Sequence, residues 1–182
     1  MTLVSAANLI LSSLTVVGQV TIGLIVISLI ARNERLTRLF GKNAVLFSFI
    51  VTIIATLGSL FYSEIAGFEP CKLCWFQRIF MYPQVILLGI ALWKKNGALA
   101  AYNSITLSVI GAIIAGYHYL LQIGIAPELP CAAVGYSAAC SQRFVMNFGY
   151  ITIPMMAFTA FAMIVAFFLI KKRGLVGPPS TQ

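Results

Sequence analysis

Charge is scarce in this sequence. Charged residues make up only 9% of the chain and hydrophobic ones 60%, which leaves too little polar surface to clothe a water-soluble globule of this size. Lipid is therefore the expected solvent for most of the chain. Histidine is scarcer still: His118 stands alone, which excludes a b-type haem held between paired axial histidines. No charged residue falls between Met1 and Ala31. That opening stretch lacks the positive start of a secretory signal peptide and runs longer than a signal core, so it is expected to be a retained span. No internal repeat or low-complexity domain is visible, and the spans leave no room for a separate soluble domain.

A net charge of +8 would suit nucleic acid only if the cations formed a basic face on a soluble fold. Here they stand in short clusters between apolar runs, as a membrane topology signal does, and no nucleic-acid partner is expected.

Apolar runs fall at about Ala6 to Ile30, Ala44 to Ala66, Trp75 to Trp93, Ser104 to Ile123 and Tyr150 to Ile170. Each is long enough to cross the hydrocarbon as a helix of roughly 20 residues. Arg32, Arg35, Arg38 and Lys42 lie between the first two, Lys94 and Lys95 between the third and fourth, and Lys171, Lys172 and Arg173 after the fifth. An alternating chain gathers all of these on one side, so the N-terminus is expected outside and the C-terminus in the cytoplasm. The tail after Arg173, with Pro178 and Pro179, reads as a disordered end.

The outer connections are then Gly67 to Cys74 and Gly124 to Gly149, and they hold all four cysteines. An oxidising compartment permits disulfides there. Cys71 and Cys74 form a Cys-Lys-Leu-Cys motif after Pro70, which puts Cys74 in or near the first turn of the third span. Free backbone N–H groups and the helix dipole favour a thiolate at that position, with Lys72 assisting and Glu69 opposing. Cys131 and Cys140 are separated by eight residues rich in Ala and Gly. They can close a structural staple, or form the second disulfide of an exchange relay. Zinc held by all four thiols is a third option, although a closed site of that kind usually brings two short CxxC pairs.

Arg78 follows Cys74 by four residues, on the same helix face and one turn deeper. It either snorkels to the interface or faces a pocket, where it stabilises negative charge on a reduced quinone or the thiolate. His118, in the outer half of the fourth span, is either a packing residue or part of the same pocket. Trp75, Phe76 and Tyr117 could line that pocket but fit an interfacial aromatic belt better.

The run Pro70-Cys71-Lys72-Leu73-Cys74-Trp75-Phe76-Gln77-Arg78, continuing to Met81-Tyr82-Pro83, resembles the BdbC branch of the DsbB family of membrane thiol-disulfide oxidoreductases. His118-Tyr119-Leu120-Leu121-Gln122, Pro130-Cys131 and Tyr150-Ile151-Thr152-Ile153-Pro154 extend the likeness over roughly Ala44 to Ile170. The resemblance implies an all-α membrane protein, a four-helix transmembrane bundle of DsbB type over residues 44–170. Before it would come an extra transmembrane helix and a cytoplasmic basic loop (1–43), and after it a cytoplasmic tail (171–182).

It also implies a quinone-dependent, disulfide-generating oxidoreductase of the bacterial or archaeal cytoplasmic membrane, with a DsbA-like exported thiol oxidase as partner and ubiquinone or menaquinone as acceptor. A relay of this kind to quinone keeps the bacterial periplasm oxidising. Residue by residue, Cys74 would stand next to the quinone and Cys71 would exchange with the loop pair. Cys131 would form the mixed disulfide with the partner, and Cys140 would link transiently to Cys71. Arg78 and His118 match residues near the quinone, and no metal is implied.

Two other readings start from the same residues. The vitamin K epoxide reductase family also joins a membrane CxxC to a loop pair, but there the loop pair comes first in the chain. A structural or transport membrane protein with disulfide-stapled outer loops is the non-enzymatic reading, with Pro83 and Pro154 as its only hints of broken helices.

Overall fold

A chain that is solvated by lipid must pair its backbone polar groups internally, and a helix does this within one segment. The computed structural model describes residues 3–95, 97–127 and 140–176; Cys131 and the tail prolines Pro178 and Pro179 lie outside them. It contains α1 (Leu3–Ala31), α2 (Glu34–Lys42), α3 (Ala44–Leu60), α4 (Lys72–Trp93), α5 (Gly97–Gln122) and α6 (Ile153–Val176). A π-helical turn, Phe61–Ile65, prolongs α3. No strand occurs among the described residues; Asn147 and Ile151 form one isolated bridge.

Five helices are long and apolar enough to cross a membrane: Leu3–Ala31, Ala44–Ile65, Lys72–Trp93, Ala101–Gln122 and Ile153–Arg173. Large apolar side chains are bare on their outer surfaces, Ile86 at 66% and Ile113 at 68% exposure, as suits a bundle bathed in hydrocarbon. Pro83 sits inside α4 without ending it.

The basic connection expected to be a loop is instead the short helix α2. Asn33 caps it, its side-chain oxygen accepting from the backbone N–H groups of Arg35 and Leu36 at 3.1 and 3.3 Å. The reason is tertiary: α2 packs against the end of α6 so closely that a Cβ on Gly41 would lie 3.4 Å from the Lys171 Cα. The Arg173 guanidinium adds a hydrogen bond to the Leu29 carbonyl of α1.

Helices α3, α4, α5 and α6 form the bundle, and its core gathers Met81, Leu88, Ala115, Phe161, Ile164 and Phe168. Gly111 lets α5 approach α6, since a Cβ there would run into the Phe161 ring. Helix α1 lies against α6 along the small or polar stripe Ser12, Thr15 and Gly18. Gln19 donates to Thr159 at 3.4 Å, and Asn147 donates to the Asn8 carbonyl and to Ser12 at 3.1 and 2.7 Å. The α3–α4 connection and the chain before α6 meet at the same end, and that end carries the described cysteines.

Candidate functional site

Pro70 cannot extend a helix backwards, and α4 begins just after it with Cys71 as the N-cap residue, extended at φ −69 and ψ 170. A cap side chain stands over the third helical residue, which here is Cys74. The Cys71 thiol accordingly donates to the Cys74 sulfur at 3.4 Å, and the Cys74 sulfur also takes the backbone N–H of Cys71. The Cys74 side chain thus makes the return half of a capping box, with sulfur in place of oxygen, while the Cys71 side chain caps no backbone N–H. Cys71 is buried and Cys74 half-buried.

Cys140 arrives from the far loop and sits on the same helix end. Its sulfur interacts with the Cys71 thiol and with the backbone N–H groups of Leu73 and Lys72. N–H groups at the start of α4, which have no acceptor within the helix, are thus turned toward two sulfurs. Cys71 is pushed up to about 12, first by its hydrogen bond to Cys74 and then by burial, with His118 pulling the other way. Cys140 is pushed up to about 11, chiefly by burial and against the pull of the Leu73 N–H. Three reduced cysteines are therefore in one place; Cys131 lies outside the described residues.

His118 holds the arrangement together. Gln77 Nε2 donates to His118 Nδ1 at 2.9 Å, so Nε2 carries the hydrogen and donates to the Cys140 carbonyl at 3.0 Å. The Cys71 sulfur is 3.7 Å from the same Nε2. One turn on, Gln122 donates to the Gln142 carbonyl at 3.0 Å. Two side chains spaced i, i+4 on α5 therefore clamp the loop backbone over the CxxC segment. Cys71, Cys74 and His118 bring their donor atoms within 4.8 Å of one another, a spacing that a metal ion could bridge. The Nε2 hydrogen bond to Cys140 would have to break first.

Arg78 turns inward rather than snorkelling. Its Nε donates to Ser59 Oγ at 3.0 Å and its Nη2 to the Ser59 carbonyl at 3.1 Å, while Tyr82 donates to the same Oγ at 3.2 Å. Ser59 lies just before the π-helical turn, where the helical ladder changes register. The guanidinium also lies 5.2 Å from the Trp75 ring centroid. Below it opens an apolar cavity of about 420 Å³ whose lining includes Cys74, Gln77, Arg78, Tyr82 and Ser59. Tyr62, Phe68 and Phe144 stack over its upper end, with centroids 5.8 and 4.9 Å apart.

Arg78 and His118 were expected to share one pocket, and the structure separates them. Among the described residues Arg78 lines the cavity and His118 does not, because its two ring nitrogens are occupied by Gln77 and the Cys140 carbonyl. Trp75 and Phe76 are more than half exposed, and Tyr117 bonds the Pro127 carbonyl at 2.9 Å; none of the three lines the cavity. Sequence alone gave no role to Ser59, nor to Gln77, Tyr82 and Gln122, which fall inside the motifs that carry the family resemblance. Tyr82 and Gln122 follow Arg78 and His118 by four residues, a spacing that could have marked them, whereas nothing local marks Ser59.

The model of the family described as "Disulfide bond formation protein DsbB" matches residues 41–171. The chain is 46% identical over 134 residues to a "Probable disulfide formation protein C" of Bacillus cereus, covering 72% of this chain and 95% of that protein. It is 42% identical over 136 residues to the "Disulfide bond formation protein C" of Bacillus subtilis, covering 72% and 96%. With a "Probable disulfide formation protein" of Metapseudomonas resinovorans it shares 39% identity over 133 residues, covering 72% and 90%. No solved structure matches.

Proposed function

The chain belongs to the DsbB family of disulfide bond formation proteins, and from that premise we propose that this multi-pass membrane disulfide oxidoreductase reoxidises an exported DsbA-like thiol oxidase and passes the electrons to a membrane quinone, ubiquinone or menaquinone. The observation that carries the reading is one of order. The Cys140 sulfur meets Cys71, Cys71 meets Cys74, and Cys74 lines the cavity that Arg78 overlooks. Positive-inside charge supports an orientation with the cysteine end and the N-terminus outside and the C-terminus in the cytoplasm of a bacterial or archaeal cell.

In the oxidised relay, Cys131 is bonded to Cys140 and Cys71 to Cys74. A thiolate of the partner attacks the Cys131 sulfur, a mixed disulfide forms, and the electron pair of the broken bond leaves on Cys140. The Cys140 thiolate is received by the N–H groups of Leu73 and Lys72 and attacks Cys71. That step makes a Cys71–Cys140 disulfide and frees Cys74 as thiolate beside the cavity. The partner's second thiolate then releases Cys131, which attacks Cys140 and frees Cys71. One partner disulfide is gained, and Cys71 and Cys74 hold the two electrons.

The cavity suits a quinone by its lining: the Arg78 guanidinium, with N–H groups beyond those spent on Ser59, lines it together with Cys74 and the Tyr82 hydroxyl, and apolar walls continue below. When bound, the quinone supplies the oxidising power, taking up two electrons and two protons as Cys71 and Cys74 return to the disulfide. Arg78, fixed on Ser59, holds positive charge ready for the negative charge that develops there.

The test is quinone reduction by purified protein in detergent, given a reduced thioredoxin-fold partner and a soluble quinone. Cys74→Ser should abolish turnover, and Arg78→Ala should raise the quinone KM about tenfold while a single round of partner oxidation is unchanged. Full turnover in Cys74→Ser, or absence of quinone reduction by the unaltered protein, would sink the reading.

A further inference from the structure

The segment matched by the family begins at residue 41, so α1 and most of α2 lie before it. The cavity nevertheless depends on them. Leu11, Leu14, Thr15, Gly18 and Thr21 of α1 line it, and Phe40 of α2 joins Phe47 and Phe167 at its far end. Those three rings pack with centroids 5.5 to 6.1 Å apart. On α3 the lining runs from Phe47 to Ser59, about 18 Å at 1.5 Å per residue. The space is therefore long and apolar, with its only cluster of polar donors among the described residues at the Arg78 end.

Helix α1 bridges two neighbours. A Cβ on Gly58 of α3 would lie 3.2 Å from Leu11, and one on Gly18 would lie 2.7 Å from the Met163 sulfur of α6. These close approaches hold α1 across the gap between α3 and α6. Gln19 reinforces the α6 contact, and it also accepts from the Tyr150 hydroxyl at 2.8 Å.

We infer that α1 and α2 wall a side of the bundle into a partly open sleeve for the polyprenyl tail of the quinone, and so make tail length a determinant of which quinone is used. The inference rests on the proposed quinone reduction. The tail is the occupant that fits both ends of one space: a redox ring beside Cys74 and Arg78, and a long apolar chain running from it toward Phe40, Phe47 and Phe167. Burying the tail against protein instead of lipid yields no hydrophobic gain, so α1 acts through packing and fit.

Two measurements test this. In the first, a long-tailed quinone carrying a diazirine at the tail terminus is photolysed with the full chain, and the labelled peptides are identified by mass spectrometry. Label is expected on α1, α2 and the Phe47 and Phe167 turns. In the second, Leu14→Trp and Thr21→Trp narrow the sleeve. Their KM for the long-tailed quinone should rise about tenfold while that for a tail-less quinone stays within about twofold; unchanged tail-less turnover also reports a folded chain.

Label absent from α1 and α2, label displaced by excess phospholipid, or equal effects on both quinones would overturn the sleeve and leave α1 a structural brace or a lipid site. If the unaltered chain reduces neither quinone, the proposed acceptor itself falls and the sleeve with it.

Discussion

Helix α4 carries two unlike polar clusters on either side of its first two turns. Toward α5, Gln77, His118 and Gln122 bind one another or the backbone of the Cys140 loop, and these contacts hold that loop over the CxxC segment. Toward α3, Arg78, Tyr82 and Ser59 form a hydrogen-bonded group at the rim of an apolar cavity. The first cluster positions chain segments relative to each other. The second presents a cation and hydroxyl groups to a space. Cys74 and Gln77 touch both, and the proposed two-electron relay needs such a junction between thiol exchange and a small-molecule acceptor.

The largest effect that would sharpen this contrast is the chemical inertness of the exchange side when reduced. A raised thiol pKa means a smaller thiolate fraction at any pH below it. Cys140, moved from 9.0 to about 11, should alkylate about a hundredfold more slowly at neutral pH than an unperturbed thiol. Its rate should climb about tenfold per pH unit without levelling off before about 11. Peptide mapping of the fully reduced chain measures this, and a plateau near 9 would mean that Cys140 is not desolvated against α4.

Next in size is the loss of the clamp. His118→Ala removes the donor to the Cys140 carbonyl, worth roughly 1 kcal/mol, and orphans Gln77. Exchange between the loop pair and the CxxC, followed by acid quench and maleimide gel shift, should slow about tenfold with the quinone KM unchanged. A raised KM instead would return His118 to the cavity side.

The smallest expected effect is the coupling between the two sides. Combining Arg78→Ala with His118→Ala should give a loss in kcat/KM that is the sum of the single losses within about 0.5 kcal/mol. A larger coupling would show that the two clusters act as one site.

Much of this was legible in residue order. The five spans could be placed to within a few residues because lipid imposes a minimum apolar length and charge interrupts it. Cys71 and Cys74 could be placed at a helix start because Pro70 precedes them. Arg78 could be placed on the face of Cys74 by its spacing. The basic segment from Arg32 to Lys42 looked like a loop although Asn33 caps its helix locally, because so short a helix relies on packing against α6, a partner far away in the chain. Ser59 carried no local sign, since its role depends on the π-helical turn beside it and on two side chains from α4.

Sequence by itself determined the solvent, the number of crossings and the chemistry at the start of α4, because hydropathy, charge and helix capping act over a few neighbouring residues. Only the tertiary structure decided that His118 binds the Cys140 loop while Arg78 lines the cavity, and that α1 supplies one wall of that cavity. Those outcomes depend on which helices touch and at what depth, and helix packing is set by contacts between segments that no local pattern records.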